Sequence, residues 1–93
     1  MASLSELEQA AAVVYRAIRS TPQIRWPLLA ERSGAEVWVK HENHTPIGSF
    51  KVRGGLVYLD WLRKEQPGIT GVTAATRGNF GQSVAFAASR LVA

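Results

Sequence analysis

Apolar positions change their period along the chain, and the changes mark the elements. Leu4, Leu7, Ala11, Val14 and Ile18 recur every three or four residues, which predicts a helix over 3–20. Two capping-box registers are open at its start, Ser3 with Glu6 or Ser5 with Glu8. Thr21-Pro22 ends it, because a residue before proline is pushed out of helical geometry. Residues 22–29 are expected to be extended or turned, with a short helical turn over Leu28–Arg32 closed by Gly34. From Ala35 to Glu42 the pattern alternates, Val37 and Val39 on one face and Trp38 and Lys40 on the other, which predicts a strand. Ser49 then looks like an N-cap for a helix over 50–65, where Val52, Leu56, Leu59 and Leu62 hold helical spacing. Pro67-Gly68 closes that helix. Ile69–Thr76 reads as a second, buried strand, 77–82 as a glycine-bearing loop, and 83–93 as an alanine-rich helix.

Helices alternating with strands predict an α/β fold. The expected piece is a partial parallel sheet in the order helix, strand, helix, strand, helix, with right-handed crossovers. Two parallel strands do not make a stable sheet, since sheets of this class are covered on both faces. The final helix is still apolar through Leu91, Val92 and Ala93. Residues 1–93 are therefore read as the N-terminal portion of a larger catalytic domain, truncated here.

Composition narrows the function classes. The chain has 93 residues and a formal net charge of +4, without cysteine. Disulfide frameworks, thiolate metal sites and cysteine nucleophiles are excluded together. The arginines are scattered, and Arg63-Lys64 is the one adjacent basic pair, so no clustered phosphate-binding stripe points to nucleic acid. No apolar run reaches the roughly 20 residues that span a bilayer. The first residues lack the basic start and apolar core of a secretory signal, so the cytoplasm is the expected compartment. His41 and His44 would lie on opposite faces of a strand, and no metal is expected there.

Two segments carry candidate chemistry. Lys51 falls at a helix start, where the partial positive charge disfavours an ammonium, and a neutral amine is what Schiff-base chemistry needs. A solvated lysine is the plain alternative. Gly54-Gly55, in the first turns of the same helix, costs about 1 kcal/mol per glycine and suggests close approach of a backbone or ligand. The loop Thr76-Arg77-Gly78-Asn79-Phe80-Gly81-Gln82 leads from a strand into a helix, a junction that suits a carboxylate or a single phosphate. It lacks the spacing of a dinucleotide fingerprint or a P-loop, and a plain turn is its alternative. Both segments follow strands, so both belong at the edge where open α/β sheets bind ligands.

Together they resemble a known family. Lys40-His41-Glu42-Asn43, followed by Thr45-Pro46-Ile47-Gly48-Ser49-Phe50-Lys51-Val52-Arg53-Gly54, resembles the cofactor-lysine segment of the serine/threonine dehydratases. These are ammonia-lyases among the fold-type-II enzymes that use pyridoxal 5'-phosphate. The loop 76–82 resembles their substrate-carboxylate loop, and the likeness runs from about Leu7 to the end. The resemblance implies that Lys51 binds the cofactor covalently and later serves as base at the substrate Cα. It implies that Phe50 packs on the cofactor ring and that Asn79 bonds its 3-hydroxyl. Ser49, Thr76, Gly78, Asn79 and Gln82 would form the substrate side. The substrate would be a small hydroxy amino acid, threonine or serine, converted to a 2-oxo acid and ammonia, in a parent protein expected to be a homo-oligomer.

Two positions depart from the family pattern. Phe80 stands where many relatives carry histidine, and Arg77 where a small residue is usual. A serine there acts in related racemases, so arginine points away from racemisation. A cation beside the loop could favour an acidic substrate such as 3-hydroxyaspartate. The family's phosphate-binding loop lies beyond residue 93, so the isolated chain is expected to be inactive. An inactive remnant and an unrelated anion-binding α/β module are the competing readings.

Overall fold

The computed structural model describes residues 1–92. Helix α1 spans Leu4–Ala17, strand β1 Gln23–Arg25, helix α2 Pro27–Ser33 and strand β2 Trp38–Lys40. A 3-10 turn over Glu42–His44 follows, then helix α3 at Lys51–Glu65 and helix α4 at Asn79–Val92. The arrangement is elongated, 54 × 32 × 23 Å, with a radius of gyration of 16.0 Å. A compact chain of this length would have about 12 Å.

The Ser3 register of the capping box is the one formed. Ser3 Oγ accepts from the Glu6 N–H and Glu6 Oε1 accepts from the Ser3 N–H, each at 3.1 Å. These contacts hold the Glu6 carboxyl below its ordinary range, the bond from the Ser3 backbone first. Helix α2 begins at Pro27 and ends on Gly34, near where the short helical turn was expected.

The core lies between three helices. Val14 and Ile18 come from the end of α1, Val52, Leu56 and Leu59 from α3, and Ala87 from α4. Val52 is fully enclosed, and such burial stabilises by about 1.5–3 kcal/mol. Only the C-terminal part of the α1 stripe is used: Leu4 and Leu7 are exposed, because α1 reaches α3 with its last turns and projects past it. Arg90 of α4 fixes that junction by donating from Nη2 to the Ala17 carbonyl at 2.6 Å, at an otherwise open helix C-terminus. On the surface, Asp60 accepts from Lys64 at 2.9 Å and faces Arg16 at 3.8 Å. Exposed pairs of this kind contribute little.

The two expected strands do not pair. β2 lies antiparallel to β1 instead, with Gln23 opposite Lys40, Ile24 opposite Val39 and Arg25 opposite Trp38. The Trp26 N–H to Val37 carbonyl bond (3.1 Å) and the His41 N–H to Pro22 carbonyl bond (2.8 Å) extend this ribbon at each end. The run 69–76 forms no ladder among the described residues. The ribbon closes over the short connection through α2, whereas a parallel pair would have to span all of α3 and be covered on both faces. The chain is thus α/β in its elements, without a parallel pair among the described residues.

Candidate active site

Helices α3 and α4 pack so closely that the first needs a glycine. A Cβ on Gly55 would stand 2.1 Å from Ser83 Oγ and 3.2 Å from the Ser83 carbonyl oxygen. Ser83 is fully buried, and its hydroxyl donates to the Lys51 carbonyl at 2.7 Å. The close approach suggested by Gly54-Gly55 is thus met at Gly55 by another helix, while a Cβ on Gly54 would meet nothing within 4 Å. The Ser83 bond pins the first residue of α3 to α4.

The loop before α4 is organised by Thr76. Its Oγ1 accepts from the Gly78 N–H at 3.1 Å and the Gly81 N–H at 2.9 Å, so it satisfies donors that the start of a helix leaves free. Gly78 has φ +154°, a backbone that side chains disfavour. A Cβ on Gly81 would press to 2.5 Å from Thr76 Cγ2.

Lys51, the first residue of α3, and Asn79, the first of α4, open on one cleft of about 690 Å³. Ala75, Thr76, Arg77, Gly78 and Phe80 complete its lining. The lining holds two cationic side chains and no acid, and both helix starts add partial positive charge. An anionic ligand is favoured there, with an amine close by.

Of the residues singled out from the sequence, Lys51, Thr76, Gly78 and Asn79 come together in this cleft. Ser49, Phe50 and Gln82 are not among its lining residues. Phe50 is the cap residue of α3 and is 63% exposed. Ser49 does not cap the helix; its N–H donates to Thr45 Oγ1 at 3.0 Å and its carbonyl accepts from that hydroxyl at 2.7 Å. Its own hydroxyl is enclosed and finds no partner among the described residues. Gln82 donates its backbone N–H to the Gly78 carbonyl, inside the first turn of α4.

The family model for pyridoxal-phosphate dependent enzymes matches residues 14–92. The chain belongs to the pyridoxal-phosphate-dependent enzymes. Its similarity to threonine dehydratases is extensive along its own length. It is 40% identical over 78 residues to the biosynthetic L-threonine dehydratase of Haemophilus influenzae, covering 84% of this chain and 15% of that protein. It is 42% identical over 78 residues to a biosynthetic, chloroplastic threonine dehydratase of Solanum lycopersicum, covering 84% and 13%. With the Escherichia coli biosynthetic enzyme it shares 39% over 80 residues, 86% of this chain and 15% of the relative. The chain therefore spans less than a sixth of these relatives. Membership in the pyridoxal-phosphate-dependent family replaces the reading as an unrelated anion-binding module.

The cleft suits the family's cofactor. A primary amine stands in a cationic, acid-free wall, and the amide-bearing Asn79 lies in the same lining.

One cluster beside the cleft was not legible as a site. Arg53 makes a fork on Glu42, Nε to Oε2 at 2.5 Å and Nη2 to Oε1 at 3.1 Å. Thr21 Oγ1 donates to Glu42 Oε1 at 2.5 Å, and Arg53 Nη1 donates to the Tyr15 hydroxyl at 3.0 Å. The Arg53 guanidinium, and after it the Thr21 hydroxyl, hold the Glu42 carboxyl below its ordinary range against the opposing effect of burial. Arg53 is raised further above its ordinary value, chiefly by Glu42. A cation in the first turn of a helix is as unfavourable at 53 as at 51. That argument, applied to Arg53, would have called for a carboxylate partner.

Proposed function

We propose that this chain forms the N-terminal portion of a catalytic domain that removes water and then ammonia from threonine or serine, giving a 2-oxo acid. The observation that carries this reading is the shared cleft of Lys51 and the 75–80 loop. When bound, pyridoxal phosphate supplies an electron sink for the charge that develops at the substrate Cα.

The chain's own residues supply orientation and proton transfer. The Lys51 amine would hold the cofactor and would take the Cα proton of the substrate. The same amine would return that proton to the leaving β-hydroxyl, so that water departs; addition of one water and loss of ammonia then give the 2-oxo acid. Backbone N–H groups at the start of α4 receive the substrate carboxylate, with Thr76 fixing the loop and Asn79 bonding the cofactor's 3-hydroxyl. In this reading the run 69–76 gains strand neighbours from the rest of a parallel sheet, and the parent is a cytoplasmic homo-oligomer. Among the described residues no helix is long and apolar enough to cross a membrane.

Arg77 supports a second substrate reading. It lines the same cleft, and a guanidinium there fits the side-chain carboxylate of 3-hydroxyaspartate.

Borohydride trapping tests the site. The chain is incubated with pyridoxal phosphate, reduced, digested and mapped by mass spectrometry, with Lys40 and Lys64 as internal references. Selective labelling of Lys51 is expected; equal labelling of the three lysines would overturn the assignment. The protein expressed from the uninterrupted coding region is then assayed with threonine, serine and 3-hydroxyaspartate. Absence of 2-oxo acid from all three would reject the proposed reaction.

A further inference from the structure

A lysine side chain is a flexible four-carbon stem, so where its amine lies depends on how firmly its backbone is aimed. Lys51 is aimed from two sides. On one side Ser83 of α4 donates to its carbonyl at 2.7 Å. On the other, two residues along the same helical turn, Arg53 reaches back across the chain. Its guanidinium grips Glu42 of the 3-10 turn through two nitrogens, at 2.5 and 3.1 Å. The same group touches the Tyr15 hydroxyl of α1 at 3.0 Å, and its Cζ stands 5.4 Å from the Tyr15 ring centroid. Thr21, buried at the end of the segment after α1, completes the carboxylate's partners. Three separate stretches of chain therefore meet on the third residue of α3.

The geometry points to Arg53 as a positioning residue for Lys51: its fork on Glu42 fixes the rotation of the first turn of α3 and so the direction in which the lysine enters the cleft. This rests on the proposed role of Lys51. The fork is the part that matters. A single charge can attract Glu42 from many directions, whereas two parallel N–H donors on one carboxylate fix the plane of the guanidinium. The pair is mostly shielded from solvent, with side-chain exposures of 23% and 19%, so its geometry is less softened than that of a surface pair. The Arg25–Glu36 contact, at 3.6 Å with Arg25 60% exposed, is the built-in comparison.

The test uses the full chain with pyridoxal phosphate and borohydride, reading the ratio of adduct at Lys51 to adduct at Lys64. Wild type, Arg53→Lys, Arg53→Gln, Glu42→Gln and Arg25→Gln are compared at temperatures where each is equally folded by circular dichroism. Matching the folded fraction removes stability from the ratio. The ratio is expected to fall at least threefold in both Arg53 variants and in Glu42→Gln, and to stay at the wild-type value in Arg25→Gln. Arg53→Lys keeps the charge and loses the fork, so its failure to restore the ratio separates geometry from charge. An unchanged ratio in Arg53→Lys or Arg53→Gln overturns the positioning role. A wild-type chain with no preference for Lys51 overturns the lysine assignment itself, and the positioning role with it.

Discussion

Gly55 and Ser83 stand so close that a methyl group on the first would fall 2.1 Å from the hydroxyl oxygen of the second. The hydroxyl has nowhere to turn, since it is fully buried and donates to the Lys51 carbonyl. Replacing a helical glycine by alanine ordinarily stabilises by about 0.5–1 kcal/mol. Here the two adjacent glycines are expected to respond with opposite signs. Gly54→Ala, in open space, should raise the thermal midpoint. Gly55→Ala should lower it, by about 1–3 kcal/mol in stability, as overpacking does. Denaturant or thermal melts of the two variants check this, and a shift of the same sign in both would refute it.

Ser83 and Gly55 are also expected to be energetically coupled. Ser83→Ala removes one hydrogen bond, worth about 1 kcal/mol. It also removes the atom that Gly55→Ala would strike. The double variant should therefore be more stable than the sum of the single effects, by about 1 kcal/mol or more in a double-mutant cycle. Strict additivity would show that α3 and α4 adjust without strain.

Thr76 is expected to act through its oxygen. Thr76→Val keeps the shape and loses the acceptor for the Gly78 and Gly81 N–H groups. A loss of about 1–2 kcal/mol should follow, as for other helix caps. Thr76→Ser keeps the acceptor and should lose less. Amide exchange at Gly78 and Gly81 would quicken in the valine variant alone; equal rates in the two variants would contradict the capping role.

Acid should weaken the chain through Glu42. Its carboxyl titrates lower in the folded protein than in the unfolded chain, chiefly because of the Arg53 guanidinium. The stabilisation is thus fully present above the ordinary glutamate value, about 4.3, and is lost as pH falls through the lower folded value. Glu42→Gln should remove part of that acid slope and destabilise the neutral protein by about 1–3 kcal/mol, since it leaves Arg53 without its charged partner. Urea melts from pH 7 to pH 3 measure both. An acid slope identical to wild type would show that the pair contributes nothing.

Local signals in the sequence proved dependable where short-range forces decide. Ser3 with Glu6, Gly34 after α2, and the apolar spacing of Val52, Leu56 and Leu59 all became structure. Lys51 and the 76–79 loop, each with its own local pattern, do line one cleft, although the strand pair expected to bring them to one edge is not formed among the described residues. Ser49 does not cap α3 despite its residue type: Thr45 holds its backbone, so the helix begins one residue later than expected, without a side-chain cap. Strand pairing failed for a different reason. β2 had two candidate neighbours, and nothing in the alternation of Val37 and Val39 says whether Ile24 or the 69–76 run lies beside them. Contacts such as Glu42 with Arg53 and Ser83 with Lys51 join residues 11 and 32 positions apart. Only the packing of the helices brings them together.

The 69–76 run has a dynamic consequence. It lies along α3 and α4, where Ile69 and Val72 share an apolar groove with Leu59 and Leu62. Yet every residue from 69 to 76 stays exposed, and no backbone N–H from 70 to 76 meets a backbone carbonyl among the described residues. Neither burial nor a ladder shields these seven amides, so their protons stand open to deuterium. On mixing with heavy water, this stretch would fill first and the interior of α3 last, until neighbouring strands took up the row of free donors.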